Sequence, residues 1–329
     1  MKTKSSAPTM KDVAKEAGVA LGTVSKVFNG LPVGDSYRQR VEAAAEKLGY
    51  RVNNYARGLR ASKTFTVALI MPNIGHPFFG TLADYIYQEL DRRGYKMLVF
   101  LAGYDPEAER KSIQMVRQNK VDGVIALSYP PDLEVDDSIP FVSIDRYFSA
   151  GIPCIASDNY GGGQLAAQKL AELGCKRLLF FRIGSVMPGE PDKRGAGFEA
   201  GCQMLGVQYD VLRLNDEDGM DPFFRYLEEH MADGKLEYDG IFCCTDHVAY
   251  RVMLKLRSIG VRVPEDVQII GFDGIHVFDG DGFFVSTIVQ PVKHLAEAAV
   301  SVLLSEERSK LPALMCLPVS YAKGGTTKD

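Results

Sequence analysis

The chain has 329 residues, a length that is too great for one core of usual size. Its residues are 46% hydrophobic and 24% charged, a composition that excludes collagen-like, low-complexity and unstructured chains. The net charge of −4 is unevenly spread, because residues 1–63 carry twelve Lys and Arg against five Asp and Glu, and the remainder carries 26 against 37. A basic head on an acidic body predicts that the head binds a polyanion and the body does not.

Residues 9–49 predict three short helices. Thr9 is a suitable cap for the first, with Asp12 at its third position, and Gly18 supplies the turn to the second. A third helix is expected to begin at the capping-box pattern Ser36-x-x-Gln39 and to end at Gly49. The apolar positions at helical spacing are Val13, Ala14, Ala17, Val24, Val27, Val41, Ala44, Ala45 and Leu48.

Two short helices joined by a glycine turn and supported by a third are typical of the helix-turn-helix motif, whose second helix enters the DNA major groove. The alternative is an ordinary small helical subdomain. Agreement of caps, turn and apolar stripe across three successive segments favours the motif.

Residues 50–62 are too short and too Gly-interrupted to form a stable isolated helix. One interpretation is a plain linker. The other is a segment that folds only on DNA, beginning at Asn53, with Leu59 as an apolar wedge in the minor groove and its arginines on phosphates.

From residue 64 onwards, apolar runs suited to buried strands alternate with helical patterns. The predicted strands are 67–71, 97–101, 123–127, 141–144, 177–181, 209–214, 240–244 and 267–271. The predicted helices are 79–92, 106–119, 162–173, 195–205, 222–231, 248–259 and 292–306. This alternation indicates α/β lobes with parallel sheets covered by helices, two in number, with a ligand near the carboxyl ends of the strands.

Polar side chains follow many of these strands and suit hydrogen bonds to ligand hydroxyls. They are Asn73, Asp145, Arg146, Asp158, Arg182, Thr245, Asp246 and Asp273. Phe78 and Phe79 could add an aromatic wall. Each residue taken singly is more often a helix cap or a member of an ion pair, but the set favours a small polar ligand.

The sequence contains no recognisable catalytic or metal-binding pattern, so no catalytic residue, metal or cofactor is expected. Six cysteines without regular spacing indicate buried thiols in a reducing compartment. Because the sequence shows no signal-peptide pattern and no membrane-spanning stretch, we expect a cytoplasmic protein and no membrane partner. Gly161-Gly162-Gly163 opens a helix and is explained by anion binding or, equally well, by close helix packing.

The chain closely resembles the lactose-repressor-type (LacI/GalR) family of bacterial transcription regulators. The matching motifs are KDVAKEAGV at 11–19, TVSKVFNG at 23–30, RVEAAAEKLGY at 40–50, PNIGHPFF at 72–79, VDGVIAL at 121–127, SDNYGGG at 157–163, RGAGF at 194–198, RVPEDVQIIGFD at 262–273 and TIVQP at 287–291.

The resemblance implies a DNA-binding domain at 1–62 with a hinge helix at about 53–60, and an effector-binding and dimerisation domain at 63–329. The latter would be periplasmic-binding-protein-like, with an N-lobe at about 63–159 and 290–316 and a C-lobe at about 160–289 and 317–329. It also implies a homodimer on a palindromic double-stranded DNA operator. The small-molecule effector would be a sugar or sugar derivative that controls operator affinity allosterically. The regulator is expected to be a repressor.

The resemblance and the residue patterns above together assign residues. The DNA-binding positions are Thr9, Leu21, Gly22, Thr23, Ser25, Lys26, Asn29, Asn53, Arg57 and Leu59. The effector-binding positions are Asn73, Phe78, Phe79, Asp145, Arg146, Arg194, Asp246, Asp273 and Gln290. Departures from the family pattern, such as Lys26 for a common Arg and His76 and Thr245 for common Asn residues, leave the ligand's identity open.

Three alternatives remain. A nucleobase or nucleoside could replace the sugar as effector. A secreted solute-binding protein would share the two-lobed fold but have a signal peptide in place of residues 1–62. A sugar-processing enzyme would need a base–nucleophile pair or a metal cluster.

Overall fold

The computed structural model of the protein describes residues 8–28, 31–50, 63–103, 105–127, 139–147, 151–184, 189–276 and 282–329, the side chains of Asp216 and Ser309 aside. The chain folds as two compact units, Met1–Thr64 and Phe65–Asp329. Within the described ranges, no helix is both long enough and apolar enough to cross a membrane.

The N-terminal unit contains three helices, α1 (Met10–Ala17), α2 (Leu21–Phe28) and α3 (Asp35–Leu48). Their inward faces share one small core, with Leu48 packed against its edge. This confirms the predicted apolar stripe. The buried members are Val13, Ala14, Ala17, Val24, Val27, Val41, Ala44 and Ala45.

The two predicted helix caps have different outcomes. At α1 the Thr9 cap is confirmed and is part of a full capping box: the backbone N–H of Asp12 donates to Thr9 Oγ1 at 3.4 Å, and that of Thr9 donates to Asp12 Oδ2 at 2.8 Å. The prediction that Ser36 caps α3 is wrong, because the helix begins at Asp35 after an extended Gly34 that makes no side-chain bond. Ser36 lies inside the first turn, where helical backbone prevents it from taking the extended conformation of a cap.

The C-terminal unit alternates strands and helices. Its strands are β1 (Thr66–Met71), β2 (Lys96–Leu101), β3 (Gly123–Ala126), β4 (Phe141–Ile144), β5 (Cys154–Ser157), β6 (Arg177–Gly184), β7 (Gln208–Asn215), β8 (Met231–Ala232), β9 (Lys235–Leu236), β10 (Gly240–Cys243), β11 (Gln268–Asp273), β12 (Ser286–Val289), β13 (Leu314–Leu317) and β14 (Ser320–Ala322). Its helices are α4 (Pro77–Arg92), α5 (Pro106–Gln118), α6 (Asn159–Glu172), α7 (Lys193–Leu205), α8 (Asp221–Glu229), α9 (Asp246–Ser258) and α10 (Val292–Leu304). Short 3-10 turns occupy Glu190–Asp192, Asp216–Asp218 and Arg308–Lys310.

Two six-stranded sheets organise this unit into two lobes. The sheet of lobe 1 has the order β13-β5-β4-β3-β1-β2, and that of lobe 2 has the order β14-β12-β11-β10-β6-β7. The pairings are parallel except between β12 and β14. The chain passes between the lobes three times: from β5 to α6, from β12 to α10, and from β13 to β14. The predicted fold class is confirmed.

Alternation along β1 shows why its residues form a buried parallel strand. Val67 and Leu69 belong to the core on one face of the sheet, whereas Ala68 and Ile70 belong to the core on the other. Helices therefore cover both faces, as the continuous apolar run predicts. The run in β2 was interpreted in the same way and that expectation is wrong: β2 is the edge strand, and Leu101 is 51% exposed.

All eight predicted strands coincide with observed ones. The others were not predicted, and each of them is four residues or shorter. Runs of that length give few positions to distinguish a buried strand from a loop, although β3, β4 and β10, of four residues each, were predicted.

The triple glycine at the start of α6 serves close helix packing. A Cβ atom at Gly163 would lie 2.0 Å from the Arg194 carbonyl oxygen on α7, and one at Gly197 would lie 1.9 Å from the Tyr160 carbonyl oxygen. The first-turn N–H of Gly161 donates to Asp158 Oδ1 at 2.8 Å, so a carboxylate of the chain already occupies this helix start. The packing explanation of the motif therefore holds and the anion-binding one does not.

This packing predicts a strong effect of one methyl group. Gly197→Ala is expected to destabilise the C-terminal unit by roughly 1–3 kcal/mol, because backbone lies where the methyl group must go. A calorimetric scan measures the change in melting temperature. Gly22→Ala on α2 is the matched control, since its Cβ would meet nothing within 4 Å. An unchanged melting temperature in Gly197→Ala would contradict the close contact.

Candidate functional site

The outer face of α2 is the candidate DNA-reading surface. Val24 and Val27 point into the core, which turns Gly22, Ser25 and Lys26 to the opposite side of the helix. Gly22 and Lys26 are exposed, one helical turn apart. A short helix with one exposed face and a cation in its last turn, in a unit with a local excess of basic residues, has the shape and charge to enter a major groove.

The turn before α2 is held by a contact that the sequence did not reveal. Gly18 adopts the left-handed conformation at φ 61°, as a turn glycine is expected to do. Arg40 on α3 donates from Nη2 to the carbonyl oxygens of Ala17 at 2.6 Å and Gly18 at 3.0 Å. The guanidinium thus satisfies the free carbonyls at the end of α1 and ties α3 to the turn.

Several predicted DNA-binding residues make contacts within the N-terminal unit or are partly buried in it. The Thr9 hydroxyl donates to Asp12 Oδ2 at 2.7 Å, and Leu21 is half-buried against the core of the unit. Thr23 is half-buried on the flank of α2. Asn29, Asn53, Arg57, Leu59 and the predicted hinge helix lie outside the described residues.

A cavity of about 270 Å³ lies between the two lobes of the C-terminal unit. Its walls come from the carboxyl ends of strands in both sheets and from the starts of α4, α7 and α9, as expected for parallel sheets. Its lining residues are Pro72, His76, Phe78, Phe79, Leu127, Ile144, Asp145, Arg146, Arg182, Ile183, Gly184, Pro191, Asp192, Arg194, Cys244, Thr245, His247, Val248, Asp273 and Gln290.

Arg194, in the first turn of α7, is a buried cation of this cavity. Its side chain is 6% exposed, its Nε donates to Asn159 Oδ1 at 2.7 Å, and its Nη1 donates to the Cys244 carbonyl oxygen at 2.6 Å. The guanidinium also lies 3.7 Å from Asp273 Oδ1 and 3.7 Å from the centre of the Phe272 ring. Such a group is fixed in position and can present its remaining donors to a ligand.

Asp273 is the last residue of β11, and only one of its two carboxyl oxygens accepts a hydrogen bond from a described residue. Gln290 Nε2 donates to Oδ1 at 2.8 Å, whereas Oδ2 is buried and has no hydrogen-bond partner among the described residues. Its backbone has a φ of 129°, which an L-residue rarely adopts, so the surrounding structure imposes this orientation. Burial raises the pKa of Asp273 to about 8, against the opposing charge of Arg194.

Asp246 lies behind this wall and does not line the cavity. Its Oδ2 accepts the N–H of Ile275 at 2.7 Å, on the segment that follows Asp273. Burial raises its pKa to about 6. The two neighbouring buried carboxyl groups titrate together, and they retain protons that isolated aspartates would have lost.

Lobe 1 contributes a second strained aspartate. Asp145 follows β4 with a φ of 60°, is 8% exposed, and burial raises its pKa. Asn159 Nδ2 approaches its Oδ1 at 3.5 Å, so Asn159 connects Asp145 to Arg194. Ser157 Oγ donates to Gln290 Oε1 at 2.7 Å, which fixes the amide that bonds Asp273.

Two histidines close the cavity from opposite lobes. His76, at the start of α4, and His247, on α9, have ring centres 6.4 Å apart, and the Phe79 ring lies 5.3 Å from His76. Burial, followed by the charges of His247 and Arg194, lowers the pKa of His76 to about 4, so its imidazole is neutral at pH 7.

Seven of the nine predicted effector-binding residues line this cavity. The exceptions are Asp246 and Asn73, whose Oδ1 accepts the N–H of His76 at 2.9 Å within its own turn. Arg182 and Thr245, noted as polar strand ends, are also in the lining. His76, Asp192 and His247 were missed, and only their position beside strand ends or helix starts could have indicated them.

In the part of the chain that the structure describes, no three His, Cys, Asp or Glu side chains are grouped to hold a metal ion. Five of the six cysteines are buried and free. Burial raises the pKa of the Cys154 and Cys202 thiols to about 12, so these thiols are poor nucleophiles.

The geometry defines a protein with an N-terminal helix-turn-helix reader and a two-lobed ligand-binding unit. The comparisons agree. Residues 9–53 match the model of bacterial regulatory proteins of the lacI family, and residues 64–298 match that of periplasmic binding proteins and the sugar-binding domain of the LacI family. The chain therefore belongs to the LacI family of bacterial transcription regulators, and the family prediction is confirmed.

Two full-length relatives are named sucrose operon repressors. The one from Pediococcus pentosaceus is 33% identical over 97% of this chain and 99% of its own, and the one from Streptococcus mutans is 32% identical over 96% and 98%. A periplasmic binding protein/LacI transcriptional regulator from Alkaliphilus metalliredigens, solved with D-xylulofuranose, superposes with a TM-score of 0.68 at 27% identity, covering 80% of this chain and 99% of that one.

The carboxyl pair predicts a pH-dependent stability. Above pH 4 the folded unit holds protons on Asp246 and Asp273 that the unfolded chain releases, so stability falls as the pH rises towards 8. The melting temperature is expected to fall by roughly 5 °C between pH 6 and pH 8.

Calorimetry of Asp273→Asn is expected to show most of that pH dependence removed. Asp266→Asn is the control, since Asp266 is exposed and its pKa of about 2 lies below the window. An identical pH dependence in wild type and Asp273→Asn would show that Asp273 is ionised in the folded state.

Proposed function

We propose that this protein is a transcriptional repressor whose affinity for a palindromic operator is controlled by an uncharged sugar bound between the lobes of the C-terminal unit. The protein would act as a homodimer in the cytoplasm, with no catalytic step and no cofactor. The observation that carries the proposal is the charge balance of the cavity, in which each cation is matched by a carboxyl group.

The lining contains three arginines and three aspartates. Arg194 is beside Asp273, and Arg182 Nη2 contacts Asp192 Oδ1 at 2.5 Å. Because the pKa values of Asp273 and of Asp246 behind it are about 8 and about 6, these two carboxyl groups together carry about one negative charge at pH 7, which balances Arg194. Arg146 and Asp145 are adjacent in sequence and both line the cavity. Since His76 is neutral at pH 7, these groups leave little net charge to compensate a buried phosphate or carboxylate. They do offer many donors and acceptors to hydroxyl groups.

The aromatic walls also favour a sugar over a nucleobase. The Phe78 and Phe79 rings are inclined at 63° to each other, so these two rings do not form the parallel pair that would enclose a flat base. One aromatic face beside several polar groups suits a sugar ring, which has an apolar face and a polar rim. The relatives named sucrose operon repressors and the neighbour bound to D-xylulofuranose support this choice.

Regulation follows from the two lobes. A ligand that contacts Asp145 and Phe79 in lobe 1 and Arg194 and Asp273 in lobe 2 favours the arrangement in which both sets face it. A change in the balance of lobe arrangements would alter the DNA affinity of the N-terminal unit, and DNA and sugar would affect each other's binding reciprocally.

Exposed apolar side chains on both lobes offer a surface to a second copy. Lobe 1 exposes Leu98, Val99 and Leu101 along the edge strand β2, and lobe 2 exposes Leu254 and Phe284. An exposed hydrophobic sheet edge is a liability for a monomer, and burial in a dimer removes it.

The sugar prediction is tested by thermal shift of the full-length protein with sucrose, fructose and their phosphate esters. At least one uncharged sugar should raise the melting temperature by mass action, and its phosphate ester should bind at least about tenfold more weakly because no unpaired cation receives it. Arg194→Ala should lose the shift, while Arg262→Ala, which removes an exposed ion pair with Asp266, should keep it. Tighter binding of a phosphate ester would refute the charge argument.

The DNA prediction uses a duplex selected by the protein from a random library. Lys26→Ala should weaken binding to this duplex roughly tenfold and binding to random DNA much less, because a lysine in the groove contacts base edges. Lys47→Ala is the matched control, since Lys47 is exposed on α3 and is paired with Glu16 at 2.6 Å. Equal losses on both duplexes, measured by fluorescence anisotropy, would show that Lys26 contacts only phosphates.

A further inference from the structure

A buried carboxylate joins the two lobes beside the effector cavity. Glu190, in the turn that precedes α7 of lobe 2, is 1% exposed. It accepts a hydrogen bond from the hydroxyl of Tyr147, which follows β4 in lobe 1. Lys193 Nζ donates to the same carboxylate oxygen at 2.8 Å. A buried carboxylate needs such partners, so its position depends on both lobes.

The backbone reinforces this contact. The N–H of Glu190 donates to the Asp145 carbonyl oxygen at 2.9 Å, and Arg146 forms an antiparallel bridge with Gly189. Gly189 permits the close approach, since a Cβ there would lie 2.9 Å from the Asp145 carbonyl oxygen. Main chain and side chain together form what we call the interlobe latch: Tyr147, Gly189, Glu190 and Lys193.

The latch is continuous with residues that line the cavity. On the lobe 1 side, Tyr147 directly follows Asp145 and Arg146. On the lobe 2 side, Lys193 directly precedes Arg194. A ligand in the cavity and the latch therefore act on the same separation between the lobes.

Tyr147 and Lys193 keep the protons that they donate to Glu190 near neutral pH. The hydrogen bond to Glu190 raises the pKa of Lys193, and burial with the bond to Glu190 raises the pKa of Tyr147. Near neutral pH the phenol and the ammonium thus remain donors to the carboxylate.

We propose that Tyr147 is a positioning residue whose hydroxyl, acting through Glu190, holds lobe 2 against lobe 1 and thereby sets the effector concentration to which the protein responds. This inference rests on the proposed function for its regulatory part. When the latch is released, a smaller fraction of molecules has the lobes together, and apparent effector affinity falls in proportion.

Hydrogen–deuterium exchange tests the latch in the ligand-free, full-length protein. In Tyr147→Phe the Glu190 amide, read in the peptide that contains Gly189–Lys193, should exchange about five- to tenfold faster than in wild type, because a hydrogen bond to a charged acceptor is lost. The control is Tyr160→Phe, which removes an exposed hydroxyl on α6 and should leave this peptide unchanged. Tyr160→Phe should melt at the wild-type temperature, and Tyr147→Phe should melt only a few degrees lower, which shows that both variants are folded.

Three further variants separate positioning from packing. Glu190→Gln keeps an acceptor for the Tyr147 hydroxyl and should exchange more slowly than Glu190→Ala. Adding Tyr147→Phe to Glu190→Ala should cause little further acceleration if the hydroxyl acts through Glu190. Additive accelerations from the two substitutions would show that the Tyr147 hydroxyl does not act through Glu190.

The regulatory part is measured as the sucrose concentration at which half of the selected duplex is released from the protein. This concentration should rise about fivefold or more in Tyr147→Phe. Unchanged exchange at Glu190 would overturn the latch. Faster exchange with an unchanged sucrose midpoint would overturn its role in the response. If sucrose does not act on wild type, the midpoint is measured with the sugar that raises the melting temperature in the thermal-shift test, and the exchange measurements decide the interlobe contact in either case.

Discussion

The buried guanidinium of Arg194 is the group on which the effector unit depends. A charge with 6% of its side chain exposed is tolerated only if its donors are satisfied, and its partners come from three other elements: Asn159 on α6, the Cys244 carbonyl oxygen after β10, and Asp273 at the end of β11. One side chain therefore fixes where four elements meet. Because Asn159 follows one of the passages between the lobes, the same network connects the cavity to the segment about which the lobes can move.

Close approach of backbone makes that arrangement possible. Arg194 opens α7, and its own carbonyl oxygen lies where a Cβ of Gly163 would be. Glycines on both helices let α6 and α7 pack with their first turns almost in contact, so the residues that each helix start presents converge on one end of the cavity. The small residues thus act on function through geometry, by bringing side chains of separate helices within hydrogen-bonding distance.

The cavity combines strain with charge balance. Asp145 and Asp273, one from each lobe, both have positive φ angles, and burial raises the pKa of both. Conformations of this kind persist only where neighbouring structure enforces them, and they occur preferentially at binding sites. Holding cations and carboxyl groups in near-equal number keeps the cavity polar without a strong net field, which suits a ligand made of hydroxyl groups and not one that carries its own charge.

Much of the fold was predictable because it depends on local periodicity. The helix-turn-helix unit followed from apolar spacing, the turn at Gly18 and the cap at Thr9, all within 40 residues. The α/β alternation likewise followed from apolar runs, and only strands of four residues or fewer escaped it. The prediction of a Ser36 cap failed because the cap position is Gly34, two residues earlier, and spacing alone does not fix which residue precedes the first helical turn.

The sequence by itself determined the family, the two kinds of unit and the polar strand ends that border the cavity, since parallel strands place their carboxyl ends at one edge of a sheet. Only the tertiary structure decided which of those side chains face the ligand. Asn73 bonds its own turn and Asp246 supports the wall from behind, while His76 and His247, 171 residues apart, meet across the lobes. The physical reason is that residue spacing fixes where a side chain starts along the chain, whereas its direction and partners are set by packing between elements that are distant in sequence.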